Sequence, residues 1–82
     1  MTQLVFVEVG DHFILYPGDV VAIVADIDDN YEGDKAWARL ISKEVGVIRN
    51  KTTAGQLKAA FKMNLEAYGI PVREVRVFLA VN

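Results

Sequence analysis

The sequence predicts an α+β domain in which helices pack on one side of a mixed or antiparallel sheet. Residues 4–27 fall into three short apolar runs separated by turn signals. Residues 35–44 and 53–68 switch to a helical period, and residues 72–81 return to alternation. The order β-β-β-α-β-α-β fits a single domain over residues 1–82.

The first run alternates, with Val5, Val7 and Val9 on one face and Leu4, Phe6 and Glu8 on the other. This predicts a strand with one face well buried. Gly10-Asp11-His12 turns the chain into a second short strand, Phe13 to Tyr16. Tyr16-Pro17-Gly18-Asp19 has the residues of a type II turn, with Pro fixing φ at the second position and Gly accepting positive φ at the third. Val20 to Ile27 is an unbroken apolar, β-branched run, which predicts a central strand buried on both faces.

Residues 28–34 are polar and acidic, a loop. On a helix over residues 35–44, Ala36, Trp37, Leu40 and Ile41 make an apolar side that Val45 continues, and Lys35, Arg39 and Lys43 a basic one at i, i+4, i+8. Residues 45–48 predict a short strand, and Asn50-Lys51-Thr52 a turn. Thr53-Ala54-Gly55-Gln56 fits a capping box that opens a second helix. Its stripe is Leu57, Ala60, Phe61, Leu65 and Tyr68; Gly69 supplies a left-handed cap and Pro71 a stop. Trp37, Phe61 and Tyr68 are expected in the core. Phe6 and Phe78, on less buried strand faces, are better placed as interface anchors.

Composition narrows the function classes. The chain has 82 residues, 52% of them hydrophobic, and no cysteine. Disulfides, iron–sulfur clusters and thiol nucleophiles are therefore excluded. So apolar a chain of this size is expected to self-associate. The start reads into a strand with no secretion-signal pattern, and no run reaches the roughly 18 residues of a membrane span. The expectation is a soluble, cytoplasmic protein.

Charge is the most uneven property. Residues 1–34 hold eight acids and no Lys or Arg, while residues 35–82 hold all nine bases and three acids. The halves thus carry −8 and +6. Clustered charge steers association with its opposite, whether nucleic acid, another protein or a second copy. Intrachain pairing and a solvated face are the plainer reading of the same pattern. Arg49, Lys51, Lys58 and Lys62 are the candidate nucleic-acid contacts, since cations that converge can displace counterions from phosphates.

The acidic set Asp26, Asp28, Asp29, Glu32 and Asp34 is the second candidate surface, a dock for a basic protein partner of the kind a phage-type inhibitor would address. Its alternate spacing is like that of a calcium loop, yet the sixth and twelfth positions from Asp26 are Tyr31 and Trp37, where Gly and a bidentate Glu are needed. The acids also suit the N-terminus of the following helix. His12, the only histidine, stands in a turn without a nucleophile motif beside it, and Ser42, the only serine, falls in a predicted helix. Neither phosphate-loop spacing is present. No catalytic residue, cofactor, metal or small-molecule substrate is expected.

Two stretches, residues 7–15 and 19–26, carry a family pattern: Val-Glu-Val-Gly-Asp-His-Phe-Ile-Leu and Asp-Val-Val-Ala-Ile-Val-Ala-Asp. They resemble the small bacterial extracellular-matrix regulators, the RemA/RemB family. A fainter echo is Val47-Ile48 followed by Thr52 to Lys58. The family's Lys-Pro-x-Ser segment is absent, and its basic helix run is reduced to Lys58-Ala59-Ala60. The resemblance implies a ring-like homo-oligomer that binds DNA as a transcription regulator. The sequence thus points to a small non-enzymatic regulatory protein, self-associating and contacting nucleic acid through its basic C-terminal half.

Overall fold

The computed structural model describes residues 3–82; Met1 and Thr2, part of the segment read for a secretion signal, lie outside the described residues. The elements in chain order are β1 (Val5–Val9), β2 (Ile14–Leu15), β3 (Val20–Ile27), α1 (Lys35–Ile41), β4 (Lys43–Val47), β5 (Thr52–Thr53), α2 (Ala54–Ala67) and β6 (Val72–Val81). The expected order holds, with the two-residue β5 added where a turn was expected. β1, β6, β3 and β4, in that order, form one antiparallel sheet, and β2 pairs with β5.

Register decides which residues reach the core. Val9, Val77 and Ile23 share one row, and Val7, Leu79 and Val21 the next. These rows face the helices. Val21, Ile23, Ala25, Val75 and Val77 pack there with Ala38, Phe61 and Leu65 in one cluster. The opposite face carries Phe6, Glu8, Phe78, Ala22 and Val45, and nothing covers it among the described residues.

Two strand expectations are corrected by this single-sided arrangement. β3 is buried on one face only, because Val20, Ala22 and Val24 point to the uncovered side and stay half-buried. β1 has no well-buried face. Val5, Phe6, Val7 and Glu8 are all exposed and Val9 is half-buried, since α2 packs chiefly on β6 and less on β3.

α2 ends as the sequence predicts at both caps. The Thr53 hydroxyl accepts from Gln56 N–H at 3.1 Å, and the Gln56 carboxamide accepts from Thr53 N–H at 3.0 Å. At the far end Gly69 takes φ +81°, Ile70 N–H donates to Leu65 O and Gly69 N–H to Glu66 O. This is a Schellman closure, and its usual apolar contact is supplied by buried Leu65 and Ile70. Gly18 takes φ +97° in the Tyr16–Asp19 turn, whose ends close through Asp19 N–H to Tyr16 O.

α1 departs from expectation. It ends at Ile41, and Ser42 caps it, donating its hydroxyl to Arg39 O at 2.8 Å. Ser42 O then accepts from Ala25 N–H, which draws the chain out of the helix and onto β3. Lys43 therefore opens β4 instead of continuing the helix. The buried contact of α1 is Ala38, 1% exposed, with Ile41 packed beside it. A small residue lets the helix backbone approach the sheet closely. Trp37 and Leu40 are displaced outward, Leu40 to 75% exposure. Tyr68, also expected in the core, lies beyond the end of α2 and is exposed; of the three aromatic residues expected inside, Phe61 alone is buried.

Thr53→Ala removes the reciprocal cap, and a loss of about 1 kcal/mol is expected. Urea unfolding should show it as a lower midpoint at unchanged slope.

Candidate nucleic-acid interface

Arg49 and Lys51 lie in the segment between β4 and β5, and backbone hydrogen bonds hold that segment in place. Ile48 N–H donates to Asp19 O at 2.8 Å, and Gly18 N–H donates to Ile48 O at 2.9 Å. Buried Ile48 is thereby fixed to the Tyr16–Asp19 turn, and Arg49 and Lys51 project from it exposed. The Lys51 ammonium sits 5.7 Å from the centroid of the Tyr16 ring, a cation–π contact. Neither cation is ion-paired among the described residues.

Lys58 and Lys62 follow on α2, one turn apart and so on one side of the helix. Lys58 is neutralised: its Nζ lies 2.7 Å from Asp11 Oδ1. That hydrogen bond, with the charge behind it, holds the Asp11 carboxyl below its ordinary pKa. Lys62 is exposed and unpaired among the described residues. The N-terminus of α2 offers no anion site, since its first N–H groups are taken. Ala54 donates to Phe13 O, Gly55 to Asp11 O and Gln56 to Thr53 Oγ1.

Three of the nine cations are spent within the chain. Besides Lys58, Arg73 binds Asp29 at 2.9 Å, and Arg76 grips Glu8 with two nitrogens, at 2.9 and 3.2 Å. The Arg76 hydrogen bonds hold the Glu8 carboxyl below its ordinary range, and both guanidinium pKa values are raised by their carboxylate partners. Each pair joins an acid of the first 34 residues to a base of the rest. About a third of the sequence's charge division thus closes on itself among the described residues.

The acidic set is largely engaged in structure. Asp34 caps α1, accepting from Trp37 N–H at 3.1 Å. Asp28 accepts from Asn30 N–H in an Asx turn. Asp29 holds Arg73. Asp26 belongs to β3, not to the loop, and stands opposite Glu74 beside a bulge. Glu32 is exposed. His12 is exposed in its turn.

Sequence reasoning missed two features. Asp26, Asp28 and Asp29 face Lys35, Arg39, Lys43 and Arg73 across one open cleft of about 510 Å³. The basic stripe directly after the acidic loop was the signal for it. Between the helices, Trp37, Phe61 and Tyr68 line a second hollow of about 470 Å³, with the Trp37 and Tyr68 rings edge-to-face at 6.0 Å. Their helical spacing read as core.

No protein-family model, curated protein or solved structure was found to match the chain. No helix among the described residues is long and apolar enough to cross a membrane.

Because the native Glu8 and Asp11 pKa values are lowered, their contribution to stability is complete above the unfolded carboxylate range. It is lost as the pH falls through the lowered native values. Arg76→Gln should move the Glu8 carboxyl titration, followed by NMR, upward toward the ordinary value. Both groups are exposed, so the acid sensitivity is expected to shrink in high salt.

Proposed function

We propose that the chain is a small non-enzymatic regulatory protein that self-associates and contacts nucleic acid. The contact runs through Arg49 and Lys51, and Lys62 on α2 is the further unpaired cation of the candidate set among the described residues, whereas Lys58 is held by Asp11. The observation that carries this reading is the exposed segment 49–51, which follows the pinned, buried Ile48 and presents two cations that are not ion-paired among the described residues. A backbone already fixed at Ile48 spares part of the ordering cost when these cations meet phosphates, and each phosphate neutralised releases counterions. Residues 5–27, through their resemblance to the extracellular-matrix regulators, support the same reading.

A non-enzymatic role agrees with the state of Ser42, whose hydroxyl is buried and committed to Arg39 O. His12 has no nucleophile aligned with it by any hydrogen bond among the described residues. The alternative, an acidic loop docking a basic protein, has less to draw on. Asp28, Asp29 and Asp34 are committed within the chain, which leaves Asp26 and Glu32 for a partner.

Labelled duplex DNA, titrated by fluorescence anisotropy, tests the proposal. Affinity should fall linearly with salt on logarithmic axes. Arg49→Ala with Lys51→Ala should weaken binding and reduce the slope by about two. Absence of binding at low ionic strength rejects it.

A further inference from the structure

The two edges of the main sheet are unlike. β4, at one edge, carries Lys43, Glu44 and Gly46, residues that discourage a strand from adding there. β1, at the other, reads Val-Phe-Val-Glu-Val, with no Lys, no Pro and no bulge. It pairs on one side only, with β6, so alternate backbone N–H and C=O groups face outward. Val5 is 56% exposed and Val7 47%, with Leu4, Phe6 and Val81 also exposed nearby. The single charge in β1 does not guard it. Glu8 is turned back across the sheet and held by two nitrogens of Arg76, which itself lies over the Phe78 ring at 5.1 Å.

We propose that β1 pairs antiparallel with β1 of a second copy, about a twofold axis at Val7, to join the two four-stranded sheets into one. The inference builds on the self-association in the reading above and gives it a surface and a register.

The occupant follows from the sequence of the strand. A closed twofold dimer needs a surface complementary to itself. A continuous sheet also requires that residues opposite each other share a face, so only registers centred on a residue are allowed. Centred at Val7, Val5 meets the partner's Val9, Val7 meets the partner's Val7, and all five positions are paired. The helix side becomes a ladder of valines, joined by Val81 next to Val5. On the open side Phe6 meets the partner's Glu8, whose charge is already balanced by Arg76. Centred at Glu8, Val5 and Phe6 would fall opposite residues beyond the end of β1 and lose their partners in the strand. Centred at Phe6, Val9 would lose its place in the ladder and Leu4 would meet the partner's Glu8. β1 thus favours one register of itself, and no such match exists along β4.

Sedimentation equilibrium of the full chain and of single-cysteine variants tests this. The wild type should weigh as a dimer. Val7→Lys places two ammonium groups across the axis and should weaken the dimer by on the order of tenfold or more. Val45→Lys, on the opposite edge, should leave it unchanged. The chain has no cysteine of its own. Under oxidation Val7→Cys should therefore link two copies, because directly opposite residues lie within disulfide reach. Phe6→Cys and Glu8→Cys, offset diagonally from their counterparts, should not. A single-chain mass at all concentrations overturns both the self-association and this surface. An oligomer that is sensitive to Val45→Lys but not to Val7→Lys overturns the surface alone. Neither result depends on whether DNA binds.

Discussion

β6 lies between β1 and β3, and both of its edges are hydrogen-bonded. It is the longest strand and it brings Val72, Val75 and Val77 into the core, the last with no exposed surface. Its rows set the register of β1 and β3. Val77 aligns Val9 with Ile23, and Leu79 aligns Val7 with Val21. α2 packs on β6, and the loop before β6 is tied to residue 28 through Asp28 N–H and Pro71 O. Without β6, β1 has no neighbour in the sheet and β3 loses one of its two. The fold is thus governed by a non-local pairing, of the kind that carries a high loop-closure cost and slow formation.

The parts legible in the sequence are those whose physics is local. A Pro-Gly turn, a Thr-x-x-Gln cap and a Gly closing a helix each act within four or five residues, and all three stand as read. What was illegible depends on layers. Periodicity finds an apolar face, but only tertiary packing says whether anything covers it. β1 and the far side of β3 have the pattern of buried faces and lack the covering layer. Trp37 and Leu40 likewise have the spacing of core residues, but α1 meets the sheet through Ala38, because the smallest side chain permits the closest approach.

The candidate site was legible only in part. Arg49 and Lys51 could be marked as a charged turn, and the structure leaves both exposed and unpaired. That Lys58 would be taken by Asp11, 47 positions away, has no local signature. Nor has the Glu8–Arg76 pair, 68 positions apart. Surface ion pairs of this kind contribute little individually. Their larger effect here is to divide the cations into those already satisfied and those left to the surroundings. A net charge counted along the sequence cannot make that division.

The central position of β6 also bears on how the protein is made. Residues 4–27 emerge from the ribosome well before residues 72–81, by several seconds at about 5–20 residues per second. Through that interval β1 has no strand to receive it, and β3 has β4 on one side alone. A nascent chain in this state is the form that chaperones meet, and its protection then depends on the cell's machinery more than on its own fold.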